Sequence, residues 1–218
     1  MMKLKLTKKA VIEAAKQFCE QESGVYRTEY FGVTDGKAIG TAVEHRFQKF
    51  LATNFDLEMG NSAVGLDLPS INTDIKVTSA RQPQSSCPYK DSKQKIYGLG
   101  YNLLLFVYNK TDNPFNKKGK LTFVSCAFIE NNRTADYQTT YGIHNILKNR
   151  GNVDDIFAFL ADRNIPADEV TLYNMARDIF QNPPQIGYLT ISNALQWRLQ
   201  YGRIVSLDKK VSGIIPIV

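Results

Sequence analysis

Three charged side chains lie close together in one short, largely apolar stretch of this chain. The segment Gly65–Ser79 reads GLDLPSINTDIKVTS and contains Asp67, Asp74 and Lys76. Residues two apart in an extended strand point to the same face, so Asp74 and Lys76 would share one side of a sheet. If residues 69–72 form a turn, Asp67 lies across from Asp74, at a Cβ separation of about 5 Å. Two carboxylates and an ammonium group would then lie on one face.

This grouping suits a divalent metal ion and the hydrolysis of a phosphodiester. Carboxylates that close repel one another unless a cation lies between them, and Mg²⁺ prefers hard oxygen ligands. Asp67 and Asp74 are the predicted metal ligands, together with the backbone carbonyl of Ile75. Lys76 would contact the scissile phosphate and hold or deprotonate the attacking water. Glu44, from a preceding helix, would complete the site through water or bind a second ion.

A simpler interpretation exists for each residue taken alone. An exposed Asp–Lys pair on a strand is usually a weak surface ion pair. Asp67 would be a residue beside a turn, and Glu44 a solvated helix residue. The order of the residues favours the catalytic interpretation: Glu on a helix, then Asp, then Asp-x-Lys on a strand that runs into a basic, amide-rich loop.

Hydrophobic periodicity predicts the elements that would position these groups. Apolar residues at helical spacing indicate a first helix over 6–21 and a second over 37–54, which carries Glu44. Continuous apolar runs with β-forming residues, at 102–108 and 121–129, are typical of strands covered on both faces. Further helices are predicted at 141–149, 153–163, 168–180 and 192–201.

The predicted fold class is α/β, of the mixed α+β kind. A central mixed β-sheet is flanked by helices, and the C-terminal region is helical. The 218 residues are enough for one domain with a substantial core. We predict a core over residues 1–138 and a helical region over 139–218, which packs on the core and contributes to dimerisation or DNA binding.

The net charge of +6 is unevenly distributed along the chain. Nine Lys or Arg residues and two acidic residues lie between Lys76 and Lys120, so this segment carries +7 and the remaining chain about −1. A positive segment that begins at the candidate site favours a polyanionic substrate such as nucleic acid. The competing interpretation is a surface of solvated lysines.

A polar loop, Arg81–Tyr89, follows the candidate strand and contains two prolines. It would lie over the same groove as the metal. Glutamine amides can make bidentate contacts to adenine, arginine can bind guanine or phosphate, and serine hydroxyls contact phosphate or sugar. A crossover loop without a binding role is the alternative. The predicted DNA-binding residues are Arg81, Gln82, Gln84, Ser85, Ser86 and Lys93.

A second candidate for DNA recognition lies nearer the C-terminus. Residues 176–201 could form a helix-turn-helix, although its turn, NPPQIGY, is longer than usual and contains two prolines. The polar residues of the second helix are Ser192, Asn193, Gln196, Arg198 and Gln200. Packing or dimerisation of this helix, anchored by Leu195 and Trp197, is the competing interpretation.

The sequence argues against several other classes of site. It contains no GxxxxGK[ST] phosphate loop, no GxSxG elbow and no HExxH motif. The chain has two histidines, His45 and His144, which is few for a histidine-centred metal site or a catalytic triad. Cys19, Cys87 and Cys126 form no CxxC pair, which argues against a disulfide framework and a zinc ribbon. A reducing cytoplasm is the predicted compartment, and no stretch is apolar enough to predict a membrane span.

The region 38–129 resembles the PD-(D/E)xK nuclease superfamily, and type II restriction endonucleases in particular. Asp74-Ile75-Lys76 matches the Asp-x-Lys motif, Asp67 the preceding acid, and Glu44 the acid of an early helix. The resemblance implies a nuclease core in which a mixed sheet flanked by helices carries the metal site. It also implies Mg²⁺ as cofactor and, as in many members, a homodimer that cuts palindromic DNA.

Two departures from the family pattern leave the first acid open. Leu66 rather than proline precedes Asp67, and the six residues between the two acids are fewer than usual. Asp56 and Glu58 are therefore alternatives for the first acid.

We predict a Mg²⁺-dependent, site-specific endonuclease of a restriction system, which acts on double-stranded DNA as a homodimer. One alternative is a structure-specific nuclease of repair or recombination, which would cut junctions only. Another is a non-enzymatic DNA-binding regulator that uses the C-terminal helices. Such a regulator would bind DNA without Mg²⁺ and leave both strands intact.

Overall fold

The computed structural model describes residues 3–57, 65–88, 90–192 and 197–218. The helices are α1 (Lys8–Glu22), α2 (Gly36–Asn54), α3 (Gln94–Tyr97), α4 (Tyr137–Lys148), α5 (Val153–Asp162), α6 (Glu169–Gln181) and α7 (Gly202–Val205). The strands are β1 (Leu4–Lys5), β2 (Tyr26–Arg27), β3 (Phe55–Asp56), β4 (Thr73–Ser79), β5 (Gln84–Cys87), β6 (Asn102–Asn113), β7 (Lys118–Ile129), β8 (Thr190–Ile191), β9 (Trp197–Gln200) and β10 (Ile214–Pro216).

Contacts divide the chain into two compact units. Unit 1 comprises Met1–Pro83, Asn102–Ile129 and Lys210–Val218, and unit 2 comprises Gln84–Tyr101 and Glu130–Lys209. This grouping differs from a single division after residue 138, because strand pairing joins segments that are far apart in sequence. β10 returns to the sheet of unit 1 by pairing with β7, and β5 pairs with β9 within unit 2.

Unit 1 is built on a mixed sheet in which β4 is an edge strand among the residues that the structure describes. The strand order is β10-β7-β6-β4, and β2 also pairs with β7. β4 runs parallel to β6, whereas β6 and β7 form a long antiparallel hairpin. The predicted mixed sheet with flanking helices is therefore confirmed.

The strands predicted from apolar runs are also confirmed, and they extend beyond those runs. Every residue of β6 from Leu103 to Tyr108 is buried, as expected for a strand covered on both faces. β6 continues to Asn113 and β7 begins at Lys118, because cross-strand pairing carries polar residues into the hairpin.

Helices α1 and α2 cover one face of this sheet, as their apolar stripes predict. Their apolar residues form one core with Ile75 of β4 and with alternate residues of β6. Aromatic rings lie at the centre of this core, with centroid distances of 5.1 to 5.9 Å among Phe18, Phe47, Phe106 and Phe123. Edge-to-face packing of such rings adds to the stabilisation from burial.

Unit 2 contains a helical cluster and a three-stranded sheet. α4, α5 and α6 pack around a buried apolar core, and their N-termini are capped by Asp136, Asn152 and Asp168. These helices confirm the three predicted between residues 141 and 180. The sheet has the order β5-β9-β8. Among the described residues, no helix is long and apolar enough to cross a membrane.

The helix predicted over 192–201 is wrong in its last part. Trp197–Gln200 form β9, and their side chains are alternately buried and exposed. That alternation has the period of a strand, and pairing with β5 and β8 stabilises it. The helix-turn-helix that required this helix is therefore wrong as well. Asn193, Leu195 and Gln196 lie outside the described residues.

The loop predicted over Arg81–Tyr89 contains strand β5. Its sequence, QSSC, is too short and polar to show the alternation of a half-buried strand. The strand forms because β9, far along the chain, supplies its pairing partner. Tyr89 lies outside the part of the chain that the structure describes.

We expect Phe106→Ala to lower the free energy of unfolding by about 3–5 kcal/mol, because the ring is fully buried at the centre of the aromatic core. Phe115→Ala is the matched control, since it removes the same atoms from a side chain that is 98% exposed. Its effect should stay within about 0.5 kcal/mol. Urea denaturation of both variants measures the difference, and equal losses would contradict this assignment of the core.

Candidate active site

Strand β4 places Asp74 and Lys76 side by side, on the face opposite the helical core. Ile75 belongs to that core, so its two neighbours on the strand point away from it. Asp74 is only 7% exposed, and Lys76 is partly buried. The Nζ atom of Lys76 lies 2.7 Å from Oδ2 of Asp74. The two residues therefore form a direct ion pair, as their spacing predicts.

Asp67 reaches the same strand from the preceding turn. A single-turn 3₁₀ helix over Pro69–Ile71 reverses the chain. Leu68 then pairs with Thr73 in antiparallel fashion. The next pair outward is Asp67 and Asp74, so these residues lie across from one another. The predicted turn and cross-strand placement are confirmed.

The edge position of β4 explains how Asp67 is held. An edge strand leaves alternate backbone N–H and C=O groups without a partner strand. The N–H of Ile75 donates a hydrogen bond to Oδ2 of Asp67 at 2.7 Å. The N–H and C=O of one strand residue point to the same side, so the Ile75 carbonyl faces this edge too. Asp67 and the carbonyl, both predicted metal ligands, therefore lie on the same side of β4.

Helix α2 brings Glu44 to this edge. The helix packs closely against β4 at Gly40. A Cβ atom at this position would lie only 3.6 Å from the carbonyl oxygen of Val77. Glu44 is one turn further along the same side of α2 as Gly40. Its carboxyl group is partly buried and lies close enough to that of Asp67 for the two groups to perturb each other's pKa. The structure therefore brings together Glu44, Asp67, Asp74 and Lys76.

Burial and mutual proximity raise the pKa of all three carboxyl groups. Burial contributes most to the shift of Asp74, and the neighbouring Asp67 adds to it, so its pKa rises to about 6 despite Lys76. Burial also raises the pKa of Asp67, and the charge of Glu44 raises it further. The pKa of Glu44 is raised by burial and then by the charge of Asp74. Ionising all three carboxyl groups therefore costs free energy, which a bound cation would offset.

The donor set suits a hard divalent cation that uses few protein ligands. Within the described residues, no three His, Cys, Asp or Glu side chains converge closely enough to form a metal-binding cluster. The carboxyl groups form a row instead, in which Glu44 and Asp74 both lie close enough to Asp67 to perturb its pKa. Mg²⁺ commonly takes one or two carboxylates and completes its shell with water and phosphate oxygens. Asp67, Asp74 and the Ile75 carbonyl fit that requirement.

The contacts favour Asp67 as the first acid. Asp67 is partly buried and bonded directly to β4. Asp56 is exposed in β3, where it pairs with Lys5 of β1. Glu58 lies outside the described residues.

Arg81 and Gln82, two of the predicted DNA-binding residues, belong to unit 1 and directly follow β4. Both are exposed. The backbone N–H of Arg81 donates to Oγ of Ser79 at 3.3 Å, and the carbonyl of Gln82 accepts from the Thr78 hydroxyl at 3.3 Å. These bonds fix the backbone of the turn and leave both side chains at the surface.

The other predicted DNA-binding residues belong to unit 2. Gln84, Ser85 and Ser86 lie on β5. Ser86 is exposed, whereas the Ser85 hydroxyl lies 2.5 Å from the hydroxyl of Tyr201. Lys93 is exposed, and its Nζ lies 3.7 Å from a carboxylate oxygen of Asp178.

The sequence alone did not predict that Gln84 and Ser86 share a sheet with Arg198 and Gln200. The available signal was the alternation of apolar and polar residues in WRLQ at 197–200. Four residues are fewer than the windows over which helix and strand periodicities can be told apart, so this signal was too short to decide.

The chain is similar to known proteins over almost its whole length. The family described as "Type II restriction enzyme NspV" matches residues 5–216. The type II restriction enzyme NspV of Nostoc sp. is 50% identical over 212 residues, which cover 97% of this chain and 96% of that protein. No solved structure matches the chain. The resemblance to type II restriction endonucleases is confirmed: the chain belongs to the NspV family of type II restriction enzymes and is a site-specific restriction endonuclease.

Proposed function

We propose that Glu44, Asp67, Asp74 and Lys76 form the catalytic centre, which hydrolyses phosphodiester bonds of double-stranded DNA with Mg²⁺. The observation that supports this most strongly is their convergence at the edge of β4. Asp67 accepts a 2.7 Å hydrogen bond from Ile75, and Lys76 lies 2.7 Å from Asp74. Segments separated in sequence thus deliver three carboxyl groups and one ammonium group to the same strand.

Each group has a task that its chemistry suits. Asp67, Asp74 and the Ile75 carbonyl would hold the metal ion, which when bound supplies positive charge for the phosphate and lowers the pKa of a water ligand. Lys76 contacts the scissile phosphate and orients or deprotonates the attacking water. An ammonium group has three N–H donors, so the pair with Asp74 leaves donors for the substrate. Glu44 accepts a hydrogen bond from water beside Asp67.

The regulator that would use C-terminal helices is not retained as an alternative. The last part of its predicted recognition helix, Trp197–Gln200, forms strand β9. A junction-specific nuclease is not retained either, because the chain belongs to a family of restriction enzymes.

We also propose a cytoplasmic location. Cys19, Cys87 and Cys126 are all free and buried. Free cysteines of this kind are usual in reducing compartments.

Removing either member of the Asp74–Lys76 ion pair should abolish cleavage. We expect Asp74→Ala and Lys76→Ala to cut a plasmid in Mg²⁺ at least about 100-fold more slowly than the wild type, the usual loss for such groups. Lys110→Ala is the matched control, because Lys110 forms a 2.5 Å ion pair with Asp112 on β6 and should not contribute to catalysis. If both Asp74→Ala and Lys76→Ala cleaved the plasmid at the wild-type rate, the catalytic centre would not lie at these residues.

Asp67→Asn tests metal binding without relying on activity. The amide oxygen of asparagine can still accept the hydrogen bond from the Ile75 N–H. The variant removes a negative charge from a carboxyl group whose pKa is raised in the folded protein. A raised pKa means that the ionised group destabilises the fold above its unfolded pKa. We therefore expect Asp67→Asn to have a higher Tm than the wild type in EDTA at pH 8.

Adding Mg²⁺ should reverse that order. At about ten times its Kd, Mg²⁺ should stabilise the wild type by about 1.4 kcal/mol, which raises its Tm by about 3–6 °C. Asp67→Asn should show little of this shift, and Asp56→Asn, at the exposed alternative acid, should behave like the wild type. An unchanged Mg²⁺ shift in Asp67→Asn would contradict its role as a ligand.

We propose that the enzyme acts as a homodimer on a palindromic sequence, so that each protomer cuts one strand. Sedimentation equilibrium should give about twice the chain mass of 24.6 kDa. Sequencing of fragment ends should show a two-fold symmetric site. A monomer that cuts both strands at an asymmetric sequence would contradict the proposal.

A further inference from the structure

We propose that the exposed face of the β5-β9-β8 sheet reads the bases of the recognition sequence in the major groove. This reading face consists of Gln84, Ser86, Thr190, Arg198 and Gln200. The proposal rests on the site-specific DNA cleavage described above and names the surface that selects the site. It does not depend on which residues form the catalytic centre.

The register of the strands places these side chains on one face. Gln84 pairs with Gln200, and Ser86 pairs with Arg198, across the antiparallel strands β5 and β9. Thr190 of β8 pairs with Gln200 from the other side. Residues directly opposite each other in an antiparallel sheet point to the same face. Ser86, Arg198 and Gln200 are exposed, and Gln84 and Thr190 are partly exposed.

The opposite face of the same sheet is buried. Trp197 is 2% exposed, Leu199 is fully buried and Cys87 is 1% exposed. Ser85 belongs to this side, where its hydroxyl lies 2.5 Å from that of Tyr201. Packing of this buried face holds the strands in place, so the residues on the reading face project from a fixed backbone.

The chemistry of the reading face matches the edges of base pairs. Glutamine can bind adenine through two hydrogen bonds, and arginine can bind guanine in the same manner. Serine and threonine hydroxyls can contact either kind of pair, and the threonine methyl group suits the thymine methyl. No residue of the three strands, all of which the structure describes, is acidic, so the reading face itself carries no carboxylate.

The dimensions of the face also suit the groove. Neighbouring strands lie about 4.8 Å apart, and a major groove about 12 Å wide admits a two-stranded ribbon, which the paired strands β5 and β9 would supply. Residues two apart on one strand are separated by about 6.8 Å, which is close to two base-pair steps of about 3.4 Å. The Gln84–Gln200 pair and the Ser86–Arg198 pair would thus meet base pairs about two steps apart.

The experiment measures how strongly each variant discriminates between sites. Sequencing the fragment ends of a wild-type plasmid digest first gives the recognition site. Cleavage rates in Mg²⁺ are then measured on a 30-base-pair duplex that carries this site and on duplexes in which one base pair at a time is changed. The readout is the ratio of the rate on the mapped site to the rate on each changed site.

We expect Arg198→Ala to lower this ratio by about 5- to 150-fold at a G·C pair, and Gln200→Ala to do so at an A·T pair. Arg198→Lys keeps the charge but loses the bidentate geometry, so it should lose discrimination as well. The adjacent serines provide a matched control: Ser86→Ala should lower the ratio, whereas Ser85→Ala should lower the Tm and leave the ratio unchanged.

Wild-type ratios in Arg198→Ala, Arg198→Lys and Gln200→Ala would overturn the proposal. An equal loss of rate on every duplex would overturn it too, because that pattern indicates phosphate contacts. Asp74→Ala and Lys76→Ala test the catalytic centre through the absolute rate. A misplaced catalytic centre would therefore be distinguishable from a misplaced reading face.

Discussion

The open edge of β4 is the constraint on which the candidate site depends. A strand in the middle of a sheet would use the Ile75 N–H in its ladder, and Asp67 would have no backbone donor to fold back onto. Here that N–H holds Asp67 at 2.7 Å, which fixes this carboxylate beside Asp74. The same edge presents the Ile75 carbonyl, so one backbone position organises both an acid and a neutral oxygen donor.

This arrangement costs electrostatic free energy, because the pKa of each partly buried carboxyl group in the row is raised. Lys76 offsets part of this cost by pairing with Asp74. The rest of unit 1 compensates through ordinary packing: α1, α2 and the sheet bury a contiguous apolar core behind the strand. A site that destabilises its own fold and a core that supports it are the usual combination in enzymes.

Local patterns predicted most of unit 1, because they report on the faces of single elements. The two-residue spacing of Asp74 and Lys76 on a strand predicted that they share a face. Continuous apolar runs predicted β6 and β7. The strands of unit 2 could not be predicted in this way. β5 and β9 are four-residue segments whose partners are far apart in sequence, so tertiary pairing decided their conformation.

The proposed catalytic groups belong to unit 1, and the proposed reading face belongs to unit 2. If the edge of β4 binds the metal ion, chemistry at the bound ion should mark the residues that surround it. Replacing Mg²⁺ with Fe²⁺ and adding ascorbate and peroxide would generate radicals at the bound ion and cut the nearby backbone. Mass spectrometry of the fragments should place the cuts near Asp67 and within residues 74–76, and excess Mg²⁺ should suppress them. Cuts elsewhere in the chain, at sites that Mg²⁺ protects, would contradict the account.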